Sequence, residues 1–140
     1  MKIKTSIKFT TIALATTFGL ALVAAAADTA QLPPASTKTG VTYATDIKPV
    51  FDQSCVKCHS GDKPKAKLKL DSLENALKGS KDGKVVIAGD SANSLIVKCV
   101  AHTTADHDSW MPPAHNKANI GPLTPEQIGL IRAWIDQGAK

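Results

Sequence analysis

The run Cys55-Val56-Lys57-Cys58-His59 constrains this chain more than any other feature in it. Two thiols three positions apart, followed at once by an imidazole, are a donor set, and such sets are used in few ways. They hold a covalent haem, they contribute to a zinc site, or they form a redox-active dithiol. The chain has three cysteines in all, and the third is Cys99. An odd number means that one thiol is free or that two are committed to something other than a disulfide.

The haem reading uses every residue of the run. Thiols at this spacing on a helix end each add to one of two neighbouring vinyl groups of the macrocycle, and the adjacent imidazole then lies beneath the iron. Cys55 and Cys58 are therefore the candidate thioether positions, and His59 is the candidate proximal ligand through Nε2. Its Nδ1–H is expected to be held by a backbone carbonyl that fixes the ring. The zinc reading joins Cys55 and Cys58 to Cys99-x-x-His102 as a Cys₃His set. It leaves His59 and the sequence Met111-Pro112-Pro113 without a purpose. A thioredoxin-like dithiol needs a βαβ pattern around it, and none is present.

The N-terminus sets the compartment. Lys2, Lys4 and Lys8 are followed by an uncharged stretch over residues 9–23, then by Ala24, Ala25, Ala26 and Ala27. This is the layout of a cleaved secretory signal, assigned to residues 1–27. A Gram-negative source would make the destination the periplasm. Export leaves free thiols insecure, which weighs against the zinc reading. The signal holds three of the 17 Lys and Arg and none of the 12 acidic residues, so the formal charge falls from +5 to +2 on cleavage. That balance lacks the basic patch with stacking aromatics of a nucleic-acid binder. After cleavage the aromatics are Tyr43, Phe51, Trp110 and Trp134 alone. Aromatic side chains usually dominate buried area, and a flat apolar macrocycle would supply what they do not.

Residues 28–42, with Pro33, Pro34 and Gly40, read as a flexible leader to a domain over 43–140. Ile47, Val50 and Phe51 lie at helical spacing, and Pro49 fits a first turn, so a short helix is expected over 46–54. Over 63–70, lysines at 63, 65, 67 and 69 alternate with Pro64, Ala66, Leu68 and Leu70, which predicts an extended segment with one wet face. A second helix is expected from Asp71 or Ser72 to Lys78, stopped by Gly79. A brief extended piece is expected over 84–88. A third helix, capped by Asp90 or Ser91, should reach Val100 with Leu95, Ile96, Cys99 and Val100 on one side, making Cys99 a buried thiol that packs as a small hydrophobe. Residues 101–122 read as a long shaped loop. The last helix is the clearest: Thr124 caps it, Pro125 opens it, Gln127 completes a capping box, Ile128, Ile131, Trp134 and Ile135 form its apolar stripe, and Gly138 ends it. The fold class is mostly α, a small helical domain wrapped around one covalent haem.

These pieces together resemble the c-type cytochromes, and among them the planctomycete-type cytochrome c domain of bacteria. The matching residues are Asp46 to Phe51 before the haem motif, Leu68-Lys69-Leu70-Asp71, Ala76-Leu77-Lys78-Gly79, Gly89-Asp90 with Ser94-Leu95-Ile96, Met111-Pro112-Pro113, and Leu123-Thr124-Pro125-Glu126 through Trp134 to Ala139. The resemblance implies one haem c between an N-terminal and a C-terminal helix, and Met111 as sixth ligand. The residues point to Met111 independently. It is the single Met besides the initiator, it precedes the last helix, and two prolines stiffen the chain after it. A thioether is a soft ligand that raises the potential relative to a second histidine. The rival roles are a packing Met, replacement at the iron by His102, His107 or His115, and an open sixth position that would bind small ligands or support peroxidase-like chemistry. With both axial positions filled there is no place for a substrate, so the expected function is an electron carrier cycling between ferrous and ferric iron, not an enzyme. Lys63, Lys65, Lys67 and Lys69 are the candidate docking patch for an acidic redox partner.

Overall fold

A computed structural model describes residues 31–140. The secretory signal expected at 1–27 lies outside the described residues. The described chain holds four α-helices: α1 (Lys48–Ser54), α2 (Leu73–Lys78), α3 (Leu95–Val100) and α4 (Pro125–Asp136). It contains no strand among the described residues, only an isolated bridge between Ser80 and Gly83. The expected mostly α fold is what forms.

The core is built where the segment 43–54, a turn followed by α1, packs against α4. Ile47, Phe51, Ile131, Trp134 and Ile135 are fully buried. Tyr43, Phe51 and Trp134 pack as a trio with ring centroids 5.9–6.3 Å apart, two of the pairs edge to face. Such pairs contribute about 1 kcal/mol each beyond the area they bury. Each polar tip is satisfied: Tyr43 Oη donates to the Leu70 carbonyl at 2.9 Å and Trp134 Nε1 to that of Lys140 at 2.9 Å. Burial, with Asp52 and Asp71 nearby, pushes the Tyr43 phenol up to about 12. α4 starts as expected, with Thr124 and Gln127 forming a reciprocal capping box and Pro125 in the first turn. α2 is capped by Ser72, whose hydroxyl accepts from Asn75, and stops at Gly79.

Four expectations change. The first helix begins earlier, because Thr42 caps a π-helical turn over Tyr43–Ile47 that leads straight into α1. α3 is shorter than expected. Residues 90–94 are diverted into a turn in which the Asp90 carboxylate accepts from the Asn93 amide at 3.1 Å and its carbonyl accepts from Ser94 Oγ at 2.8 Å. Residues 84–88 form no ladder, although Val85 and Val86 are buried. The alternating segment at 63–70 is not extended throughout. A 3₁₀ turn occupies Lys65–Lys67, with Ala66 and Lys67 both at a φ of 54°. A left-handed residue that is not glycine costs roughly 1–2 kcal/mol. Only Leu68 and Leu70 keep the expected inward side, while Ala66 is exposed.

The expected flexible leader is also different over its described part. Residues 32–42 lie against α4 as a strap. The Ser36 amide donates to the Gly129 carbonyl at 2.9 Å, the Val41 amide to Gln137 Oε1 at 3.1 Å, and Gln137 Nε2 to the Lys38 carbonyl at 2.8 Å. Arg132 donates both to the Pro33 carbonyl and to Ser91 Oγ, which in turn donates to Asp136 at 2.9 Å. Composition gave no sign of this, because the strap is held through its backbone. A Cβ at Gly129 would lie 2.7 Å from the Pro34 carbonyl oxygen, so the helix needs glycine there.

Candidate functional site

The Cys55–His59 run hangs from the C-terminal end of α1. The Cys55 amide closes onto the Phe51 carbonyl at 2.8 Å, and the amides of Cys58 and His59 both reach the Cys55 carbonyl, at 3.1 and 3.0 Å. The following loop stitches itself to the same residues. The Lys65 amide donates to the Cys58 carbonyl at 3.0 Å and the Leu70 amide to that of His59 at 2.8 Å. His59 Nδ1 lies 3.3 Å from the Leu68 carbonyl. With Nδ1 donating there, the lone pair is left on Nε2. The carbonyl expected to fix the ring is therefore that of Leu68. Burial lowers the pKa of His59, against a smaller opposing effect of the Leu68 and Lys65 carbonyls, and favours the neutral imidazole that a metal needs.

Cys55, Cys58, His59 and Met111 all line one cavity of about 290 Å³. Its walls are apolar, formed by residues such as Leu68, Leu70, Ile96, Val100 and Leu123. The side of α3 read from the sequence, Leu95, Ile96, Cys99 and Val100, faces this space. Cys99 is thus half-buried at the cavity wall rather than in the core proper. Burial pushes its thiol up, with Asp106 adding to the effect, and pushes Cys55 up to about 12, with Cys58 adding.

Met111 is brought to the cavity by a loop held from its own side chains. Its amide donates to the Cys99 carbonyl at 3.0 Å, which ties the loop to the end of α3. His102 stacks flat on Trp110 at 4.8 Å, and His107 covers Trp110 at 4.1 Å. His102 Nε2 also contacts the Met111 carbonyl at 3.2 Å. His102, His107 and His115 line a separate groove, and none of them lines the cavity that holds His59. Sequence reasoning offered these three as rivals to Met111 and missed the stack, which brings together residues up to eight positions apart in a segment without periodicity. Nor do Cys99 and His102 complete a set with Cys55 and Cys58. Among the described residues, no three His, Cys, Asp or Glu side chains gather as a metal site.

Residues 55–115 match the planctomycete cytochrome C family. The cytochrome match starts at the first cysteine of the motif and runs past Met111, so it contains both axial candidates. No curated protein and no solved structure matches the chain. The match is to a c-type cytochrome segment, and the cofactor it implies is haem. The residues present fit that group. The cavity is apolar, and two thiols, an imidazole with its Nδ1 against the Leu68 carbonyl, and a thioether all line it. These are residue types that could hold a haem.

Proposed function

We propose that the chain is an exported mono-haem electron carrier and not an enzyme. Cys55 and Cys58 would hold the macrocycle as thioethers, and His59 and Met111 would be the donors to its iron. The observation that carries this reading is that His59 and Met111 share one apolar cavity from which His102, His107 and His115 are absent. When bound, haem supplies the one-electron couple between ferrous and ferric iron. The protein contributes the rest. His59 is oriented and made a better donor by the Leu68 carbonyl, and the apolar walls exclude water. Met111 supplies a thioether that favours the ferrous state.

Lys63, Lys65 and Lys67 are exposed and Lys69 half-buried, on the loop that directly follows the haem motif. We assign them as the docking patch for an acidic redox protein. The rate of electron transfer to such a partner should fall as salt rises, and a rate indifferent to ionic strength would remove this assignment. The signal at 1–27 makes the compartment exported, and periplasmic in a Gram-negative cell.

The deciding test is a denaturing gel stained for haem, run on chain made with the haem-attachment machinery. Colour that migrates with the chain supports the reading, and a colourless chain of intact mass overturns it. Carbon monoxide then separates carrier from ligand-binding protein. A Met111-ligated ferrous iron resists it at neutral pH, whereas an open iron takes it up at once.

A further inference from the structure

We infer that Ala66 and Lys67 are positioning residues for His59. This rests on the reading of His59 as the proximal ligand. Two consecutive residues that are not glycine stand at a φ of 54°, on the loop bonded to the haem motif on both sides. Before the pair, the Lys65 amide is bonded to the Cys58 carbonyl; after it, the Leu68 carbonyl faces His59 Nδ1 and the Leu70 amide meets the His59 carbonyl. The pair makes the reversal that aims the Leu68 carbonyl at the imidazole. It is pinned from outside as well, because the Ala66 carbonyl accepts from the Lys81 amide at 2.9 Å.

Glycine is the residue that takes this conformation without steric cost, and asparagine is the next best. A glycine pair would also let the loop visit many other conformations. Alanine and lysine, once forced into the left-handed region by the surrounding bonds, have fewer alternatives. The unfavourable conformation therefore persists where the neighbouring structure over-determines it, which is how strain is kept at functional positions. What it secures is the Nδ1–H hydrogen bond. That bond loads electron density onto the imidazole and favours the ferric state, so loosening it should raise the reduction potential.

The test is made on the haem-loaded full chain with three variants. Ala66→Gly/Lys67→Gly frees the loop. Lys67→Asn removes the charge but keeps a residue that tolerates the left-handed region. Lys63→Gln removes a charge outside the turn. The readouts are solvent exchange of the His59 Nδ1 proton by NMR and the midpoint potential. The glycine pair should exchange that proton at least tenfold faster and raise the potential. Lys67→Asn should leave the exchange rate within twofold of the parent and move the potential no more than Lys63→Gln does. An exchange rate and potential unchanged in the glycine pair would overturn the inference while leaving His59 as the ligand. If the glycine pair does not fold, Lys67→Asn decides alone: tenfold faster exchange there would overturn the inference, since its backbone preference is retained. An Nδ1 proton missing in the parent chain because His59 does not hold the iron would instead overturn the reading on which the inference stands.

Discussion

On the His59 side of the cavity the main chain does the holding. His59 follows a helix end, its carbonyl and that of Cys58 are bonded to amides of the next loop, and a third carbonyl lies against its ring nitrogen. On the Met111 side the chain is irregular from residue 101 to 124 apart from one 3₁₀ turn; the Met111 amide is bonded to the Cys99 carbonyl, and much of the remaining path is set by side chains: His102 on Trp110, Trp110 beneath His107, and Asn116 bonded to the carbonyls of Pro113 and Ile120 at 2.8 Å. The difference teaches where rigidity comes from. A ladder of backbone bonds survives most side-chain substitutions, because amides and carbonyls are present whatever the residue. A stack of rings does not.

The largest expected effect sets both sides aside. Cys55→Ala with Cys58→Ala should abolish covalent haem, seen as loss of all haem stain on a denaturing gel, and would leave the two walls without a common occupant. Met111→Ala sharpens the comparison most. Covalent haem should remain, carbon monoxide should bind at neutral pH, and the potential should fall on the order of 0.1 V, within the roughly 0.8 V range that axial ligands span. An unchanged spectrum and potential would move the distal ligand elsewhere. Trp110→Ala asks whether the stack holds the distal loop: it should keep haem content and the His59 environment but raise carbon monoxide affinity, by less than Met111→Ala does. If the His59 Nδ1 proton shifts as much as the distal readouts, the two walls are not independent. Gly129→Ala is the control away from both. Its Cβ would collide with the Pro34 carbonyl, so urea denaturation should show a loss of about 1–3 kcal/mol with the potential intact. Cys99→Ser should do least, leaving haem content and potential unchanged; loss of haem in that variant would give Cys99 more than a packing role at the wall.

The parts that were legible before the structure are those with local causes. α4 could be read residue by residue because its cap, its opening proline, its stripe and its terminal glycine all act within a few positions of one another. The same holds for α2 between Ser72 and Gly79. The Cys55–His59 run was legible because two thiols and an imidazole at this spacing have few chemical uses. The loop at 63–70 misled because a lysine at every second position resembles a strand, while the turn at Ala66 and Lys67 is imposed by bonds to Cys58, His59 and Lys81. The strap misled because a composition of prolines, threonines and small residues says nothing about carbonyls that a distant arginine and glutamine collect.

The sequence alone offered Cys55, Cys58, His59 and Met111 as candidate donors, with three histidines as rivals to Met111, and it marked the helices that carry their own caps. Only the tertiary structure decided which donors share a space. Met111 and Cys99 line the cavity of His59, whereas His102, His107 and His115 turn to a groove beside it. It also decided which carbonyl, that of Leu68, fixes the imidazole. The reason is physical. Caps and covalent spacing are settled by neighbours along the chain, but the direction of a loop is settled by whichever distant amides, carbonyls and rings can satisfy one another once the helices have packed.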